Sequence, residues 1–404
     1  MTQPGPVLAA RALSSQLRDA AADTEARTHF SPEIHEALVA AGLYTLFIPK
    51  RYGGQEASVA TFIEVALELA RGDISAAWCW TLSASHALQV ATMFPQSVQD
   101  VVFAGGDFRA AATAAPTVTA TETPDGWRLT GTVAYCSGIP YSTYYLGQAR
   151  VVFANGETGG GTFVAPRSTF EVLDDWGGTH GLRGTGSNSI RFDGAVIPAD
   201  FLLDGVQIND FPAEQGTPGF ALHGSPIYAG RAMTVLTLTL GGLAVGGAYA
   251  ALDAFEEQMR LRGTALPPVV PRLTDPDYQR WYGAALVRIG VARATILHVA
   301  DEWTRLAEAN AAGARPFEFQ DDFTLAALAR EAHIQSWEAV EHELARPIGA
   351  SAMRTGERFE RTYRDLGQAA GHRSPQVRDG AYRVVAAMQL GVLDGAVSVS
   401  EKSA

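Results

Sequence analysis

The hydrophobic period changes twice along this chain, and that order of periods restricts the fold more than any single motif. Up to about residue 100, apolar residues recur every three to four positions, the spacing of helices with one buried face. Between about 110 and 222 the pattern becomes short alternating runs rich in Thr, Val, Phe and Tyr, broken by Gly and Pro. From about 230 onward it is helical again, in longer stretches. Helices, then a block of strands, then more helices is an unusual order, and it limits the fold choices. The pattern predicts an α+β chain with three parts: an N-terminal helical domain over 1–110, a central β-barrel-like domain over 111–222 and a C-terminal four-helix bundle over 223–404.

Local signals support that division. Ser31-Pro32-Glu33 reads as an N-cap, a first-turn proline and an acid, opening a helix through Ile34, Leu38 and Ala41 that stops at Gly42. Pro49–Gly54 is a turn, Val59–Arg71 a helix with Phe62, Ile63, Ala66 and Leu69 on one face, and Ile74–Met93 a further helix ending near Pro95. Val118–Thr123, the turn Pro124-Asp125-Gly126 and Trp127–Tyr135 make a hairpin, followed by strands at Tyr144–Phe153, Gly161–Ala165, Phe170–Trp176 and Ser189–Phe192. Helices are expected at 230–262, 275–312, 320–346 and 375–398, with a break at 347–374. Ala232–Leu252 holds no charged residue and is long enough to span a bilayer. Its threonines and glycines leave it only moderately apolar, and Arg231 and Asp253 flank it, so a bundle helix buried on all sides is expected and no membrane span.

Charge and cysteine usage exclude other classes. Lys+Arg is 31 against Asp+Glu 43, a net charge of −12, with Lys50 and Lys402 the only lysines. No basic run is present to neutralise phosphates, so no nucleic-acid partner is expected. Cys79 and Cys136 make no disulfide framework, and Met1–Leu8 lacks the features of a signal peptide. A reducing cytoplasm is the expected location. None of the nine histidines follows a Glu by three positions, which excludes a di-iron bundle site. HExxH, CxxC, GxSxG, P-loop and GxGxxG patterns are missing, so no metal is expected.

Four segments carry a resemblance across nearly the whole chain. Gly126–Gly138 (GWRLTGTVAYCSG), Trp176–Asn188 (WGGTHGLRGTGSN), Asp275–Arg280 (DPDYQR) and Arg364–His372 (RDLGQAAGH) resemble segments of the flavin-dependent monooxygenases of the acyl-CoA dehydrogenase fold, the p-hydroxyphenylacetate-hydroxylase-like oxygenase components. The resemblance implies reduced flavin (FMNH2 or FADH2) supplied by a separate NAD(P)H reductase. It implies a flavin C4a-hydroperoxide that hydroxylates a small apolar, aromatic substrate. N-hydroxylation of an amino sugar and sulfur oxidation occur among similar proteins. An acyl-CoA dehydrogenase of this fold is the alternative, and it needs a carboxylate base for the proton α to a thioester. No Glu lies between Leu366 and Leu393, the early base position near Tyr228-Ala229-Gly230 is not acidic, and His372 and Arg373 stand where the late base would.

The resemblance also nominates residues. His372, on a loop entering the last helix, is placed at the flavin peroxide, and Ser137, beside Gly138, near the flavin ring and the substrate hydroxyl. Tyr135 and Cys136 flank it on the same turn; Cys136 reads as packing, since no neighbouring cation lowers its pKa. Trp176 is assigned to the flavin rim. Arg183, Thr185, Ser187 and Asn188 form a loop suited to a phosphate or the pyrimidine edge. Arg262, with Arg260 at a helix end, is assigned to a flavin phosphate across a subunit interface. His180 and His223 are further candidate substrate contacts. A homotetramer is expected, on the ground that the uncharged 232–252 helix and its bundle need a partner surface.

Overall fold

The computed structural model describes residues 5–392. Six helices come first: α1 (Gly5–Arg27), α2 (Pro32–Ala40), α3 (Val59–Gly72), α4 (Ile74–Ala84), α5 (His86–Met93) and α6 (Gln96–Val102). Ser31 caps α2 and Ser58 caps α3, each accepting a backbone N–H of the first turn. The expected single helix over Ile74–Met93 is two, divided at Ser85, and α6 was not foreseen.

Seven strands follow: β1 (Ala110–Thr123), β2 (Gly126–Val133), β3 (Tyr144–Val152), β4 (Thr158–Pro166), β5 (Glu171–Val172), β6 (Ile190–Ile197) and β7 (Leu202–Asp204). They form one sheet in the order β5-β6-β2-β1-β3-β4-β7. The β1–β2 hairpin is antiparallel as expected, and β1 and β3 run parallel. Tyr145 of β3 and Phe163 of β4 meet Phe192 of β6 with ring centroids 5.9 and 5.8 Å apart, across two and three intervening strands respectively. The sheet therefore curls around its own aromatic core. The strand expected over Phe170–Trp176 shrinks to Glu171–Val172; beyond it one backbone bond, Leu173 N–H to Ser189 O, and the side chains of Asn188 and Asp175 replace the ladder.

The remaining helices are α7 (Pro218–His223), α8 (Met233–Leu261), α9 (Pro276–Ala311), α10 (Phe319–Ala339), α11 (Arg358–Ala370), α12 (Arg373–Gln376) and α13 (Arg378–Gln389). A π-helical turn, Val340–Leu344, continues α10. Asp275 caps α9, accepting from the N–H groups of Asp277 and Tyr278 at 3.0 Å. The break expected at 347–374 contains α11. Its inward face carries Glu360, Arg364 and Asp365 beside the buried Phe359, Leu366 and Ala369, a face that mixes charged and apolar residues. The helix expected over 375–398 is α12 plus α13, and positions 393–398 lie outside the described residues.

Two helices are long and apolar enough to cross a membrane, α8 and α9. The apolar stretch of α8 is 89% buried among other helices of the same chain. A Cβ on Gly246 would collide with the Leu67 carbonyl of α3, and one on Gly247 with Ile74 of α4, so the glycines let α8 lie against both. The reason given for a partner surface is thereby corrected: the chain itself covers the uncharged helix.

Candidate active site

Beyond β2 the backbone turns through two left-handed residues, Tyr135 (φ 62°) and Gly138 (φ 80°). A side chain at Gly138 would strike Ser83 and the Cys79 carbonyl of α4, so only glycine lets this turn press against that helix. The turn is tied to the 182–188 loop by two backbone bonds, Cys136 N–H to Asn188 O and Gly138 N–H to Thr185 O, at 3.2 and 3.0 Å. Together these contacts put Ser137 against the indole of Trp78.

A chain of hydrogen bonds results. Trp78 Nε1 lies 3.2 Å from Ser137 Oγ, Ser137 Oγ 2.7 Å from Ser187 Oγ, and Ser187 Oγ 2.6 Å from Thr185 Oγ1. Thr185 Oγ1 donates to the Leu182 carbonyl at 2.9 Å. Proton counting fixes the direction. A hydroxyl has one proton, and that of Thr185 goes to a carbonyl, which cannot donate. The Thr185–Ser187 bond therefore uses the Ser187 proton, and the Ser187–Ser137 bond the Ser137 proton. Trp78 can only donate. Ser137 Oγ is left with one lone pair and no free proton.

His372 closes the other side of Trp78, its ring centroid 5.5 Å from the indole in an edge-on arrangement. It is the N-cap of α12, and its Nδ1 accepts the Ser374 N–H at 3.2 Å. A neutral imidazole that accepts at Nδ1 carries its proton at Nε2, so the cap fixes the tautomer. Surrounding protein atoms, and then Arg373, hold the imidazole below its usual pKa, which favours the neutral form.

The 179–188 loop is anchored from behind. Asp365 accepts the Leu182 N–H at 2.7 Å and the Ser75 hydroxyl at 2.9 Å. Burial raises the Asp365 carboxyl to about 6 and that of its neighbour Asp73, the N-cap of α4, to about 7. Glu25 receives Arg183, Arg361 and Arg364 at 3.1, 3.1 and 3.0 Å. Burial pushes the Glu25 carboxyl up, but the two bonds from Arg364 and Arg361 outweigh it and the net shift is downward. Arg364 also donates to the His180 carbonyl at 2.9 Å.

The structure thus brings Ser137, Ser187, Thr185 and His372 together around Trp78. Tyr135 and Trp176 meet edge-on, 5.9 Å apart, at the rim, and Trp176 Nε1 is buried without a partner. Asn188 donates to the Leu173 carbonyl at 2.9 Å. Cys136 is buried, and burial pushes its thiol up, consistent with packing. Arg183 faces Glu25 instead of the hydroxyl chain. Arg262 is exposed at the C-terminal end of α8 beside Gln258, many turns past the Gly247 contact, and takes no part in this cluster. The His180 side chain is exposed, and His223 bonds Gln99 at 2.8 Å, beside Tyr52 and Tyr228. Trp78, Glu25 and Asp365 had not been nominated. A buried tryptophan on a helix reads as core, and only the Arg364-Asp365 pair in the RD motif offered a signal. Among the described residues no cluster of His, Cys, Asp and Glu could hold a metal ion.

Two polar groups at the Tyr135–Gly138 turn are left without a protein partner, the spare lone pair of Ser137 and the buried N–H of Trp176, and a polar heterocycle could use them. The acyl-CoA dehydrogenase family defines this combination of domains. The family model for its N-terminal domain matches residues 8–95, and that for its C-terminal domain matches residues 238–376. The chain belongs to the branch of that family formed by the oxygenase components of flavin-dependent monooxygenases. It is 29% identical over 298 residues to the oxygenase subunit HsaA of Mycobacterium tuberculosis, covering 73% of this chain and 74% of that one. The crystal structure of that protein superposes with a TM-score of 0.85 over 97% of this chain and 99% of its own, at 24% identity. The oxygenase component of p-hydroxyphenylacetate 3-hydroxylase from Acinetobacter baumannii is 27% identical over 241 residues, 59% of this chain and 56% of that one. XiaF from Streptomyces, solved with FADH2 and glycerol, superposes with a TM-score of 0.87 at 23% identity, covering 97% and 96% of the two chains.

Proposed function

We propose that this chain is the oxygenase component of a two-component monooxygenase, using diffusible FMNH2 or FADH2 from a separate NAD(P)H reductase to hydroxylate a small apolar, aromatic substrate. One observation carries the choice of oxygenase over dehydrogenase. The groups gathered at Trp78 are a neutral-favouring imidazole and a serine, and no carboxylate is free to take a proton. Asp365 and Asp73, the nearest buried acids, are committed to backbone N–H groups behind the loop. A dehydrogenase requires such a base.

When bound, reduced flavin supplies electrons to O2 and makes one oxygen atom available for transfer. Tyr135, Cys136, Ser137 and Trp176 would hold the ring, and Thr185, Ser187 and Asn188 its polar edge; Arg183, paired with Glu25, and Arg262, at the far end of α8, are not assigned to it. The spare lone pair of Ser137 accepts the O–H of a phenolic substrate, orienting the ring and drawing the proton toward serine. His372, fixed with its proton at Nε2, would donate a hydrogen bond toward the transferring oxygen and, being neutral, keep that proton. Trp78 is itself buried, so the wall it forms admits no water to compete.

The test places protein and a flavin reductase on opposite sides of a dialysis membrane with NADH, flavin and a phenol. Hydroxylated phenol on the oxygenase side supports the reading. Reduced flavin crossing with no product overturns it. We assign the cytoplasm as its compartment and a homotetramer as its assembly. On α9, Val287 and Val291 are 65% and 54% exposed, in line with Gly283, Gly290 and Ala294, a stripe suited to a second copy. A monomer in light scattering would refute the assembly.

A further inference from the structure

The hydrogen bonds at Trp78 close into a ring. From Trp78 they run through Ser137, Ser187 and Thr185 to the Leu182 carbonyl. The N–H of the same leucine donates to Asp365 Oδ1 at 2.7 Å, and Asp365 Oδ2 accepts the Ser75 hydroxyl at 2.9 Å. Ser75 stands three residues before Trp78 in α4, about one helical turn, so the helix itself completes the circuit. Two separate parts of the fold make up this ring, α4 and the 182–188 loop. Ser137 joins them on the side of the site, and Asp365 of α11 joins them at the back.

The closure at Asp365 is under tension from several sides. Asp365 is buried, and Ser75 and Leu182 are its hydrogen-bond donors among the described residues. Arg364, next to it, is committed to Glu25, Glu360 and the His180 carbonyl. A buried carboxylate is costly unless its oxygens are satisfied, so both donors are drawn to it. Leu182 has left-handed backbone angles (φ 54°), which a non-glycine residue keeps only where its surroundings impose them. Those angles send its N–H to Asp365 and its carbonyl to Thr185, which donates to it from Oγ1 at 2.9 Å and from its N–H at 3.3 Å. Gly181 allows the approach, since a Cβ there would lie 2.2 Å from the Arg364 carbonyl. Behind Asp365 is a cavity of about 200 Å³, bordered also by Arg18, Asp73, Arg358 and Arg361. On that side hydrogen bonds, more than close packing, keep the carboxylate in place.

We propose that Asp365 is a positioning residue for the reaction: by holding Ser75 and Leu182 on one carboxylate it sets the spacing between Trp78 and Thr185, into which Ser137 and Ser187 must fit. This rests on the hydroxylase reading above and extends it to a residue behind the site. A displacement of Ser75 passes along one turn of α4 to Trp78, and a displacement of Leu182 moves the acceptor of Thr185. Slack at either point breaks the sequence of donors and acceptors that leaves Ser137 with an open lone pair.

The experiment uses the full chain labelled with 15N at tryptophan and follows solvent exchange of the indole N–H groups by NMR. The Trp78 resonance is assigned by its loss in Trp78→Phe. Two other indoles serve as internal controls: Trp303 donates to the Arg231 carbonyl at 2.9 Å and Trp127 to the Ala199 carbonyl at 3.1 Å, both outside the ring. Ser75→Ala cuts the ring at one bond and should speed exchange at Trp78 roughly 5- to 150-fold while the controls stay unchanged. Asp365→Ala should do the same, and Asp365→Asn, which keeps an acceptor for Leu182 and a hydrogen-bonding group at Ser75, should restore most of the protection. Unchanged exchange at Trp78 in Ser75→Ala overturns the proposal, and so does equal acceleration at all three indoles, which marks a merely structural role. An Asn variant as fast as the Ala variant overturns it too. If Asp365→Ala does not fold, Ser75→Ala still decides. Hydroxylation of a phenol with a reductase is measured alongside: kcat/KM of Ser75→Ala should fall by a similar factor, and a wild-type value despite faster Trp78 exchange refutes the positioning role. Absence of turnover in the native protein, with exchange accelerated at Trp78 alone, would sink the hydroxylase reading and leave the ring standing.

Discussion

Replacing Ser187 with alanine probes the hydroxyl chain at a residue assigned no contact with the substrate. In the native chain Ser187 accepts the Ser137 proton at 2.7 Å and passes its own to Thr185 at 2.6 Å. Without that acceptor, the Ser137 O–H has nothing behind it and turns toward the site, where Trp78 still donates to it at 3.2 Å. Ser137 then presents a proton to the substrate hydroxyl instead of a lone pair. Thr185 keeps its bond to Leu182, so no buried donor is orphaned and the stability loss should be about 1 kcal/mol. Misdirecting one hydrogen bond to the reacting hydroxyl should cost about 1–3 kcal/mol in the transition state, roughly 5- to 150-fold in kcat/KM. Urea melts and steady-state hydroxylation of a phenol measure the two effects. A double-mutant cycle with Ser137→Ala separates them: once Ser137 is gone, Ser187→Ala should cost little more. Additive losses in the cycle, or wild-type kcat/KM for Ser187→Ala alone, would refute the proton direction deduced here.

Other perturbations bear on neighbouring parts of the site. His372→Ala should leave reduced-flavin binding nearly intact but raise H2O2 release at the expense of product, roughly 5- to 150-fold in their ratio, and His372→Asn should be milder. Because neighbouring protein atoms and Arg373 lower the His372 pKa, although the residue is exposed to solvent, the acid limb of coupling should fall below the usual imidazole value of about 6.5; a limb above it would contradict that direction. Asp365→Ala leaves the buried Leu182 N–H without an acceptor and should cost about 1–3 kcal/mol by denaturant titration. Asp365 and Asp73 have raised folded pKa values, so the folded state binds more protons than the unfolded between about pH 4 and their values of about 6 and 7. Their contribution to stability is greatest at the acid end of that window and is lost as pH rises through it. Asp365→Asn should flatten that slope. Glu25→Ala removes one acceptor from Arg364, which keeps Glu360 and the His180 carbonyl, and should cost about 1–3 kcal/mol, read as a fall in Tm.

Much of the fold was legible because its buried faces are apolar and its helix starts follow capping chemistry, as at Ser31 and Asp275. What escaped detection was a helix whose inward face mixes charges with apolar residues. α11 buries Phe359, Leu366 and Ala369, but also Glu360 paired with Arg364, and Asp365 bonded to Leu182 and Ser75, and those buried charges made the segment read as a break. The division of α4 from α5 at Ser85 leaves the apolar pattern unbroken, so it too was silent. In the site, Ser137, Ser187 and His372 were named through motif resemblance. Trp78, which touches two of them, was not, since burial of an indole on a helix gives no sign of what its N–H faces. The arginines carried least: Arg183 is paired with Glu25, and Arg262 lies at the far end of a long helix.

The central claim is that this site inserts oxygen and does not abstract an α-proton. Turnover of a phenol under 18O2, with reduced flavin supplied by a separate reductase, tests it most directly. The expected result is one 18O atom in each product molecule and no bleaching of oxidised flavin when acyl-CoA thioesters replace the phenol. Unlabelled product, or flavin reduced by an acyl-CoA without a reductase, would contradict it.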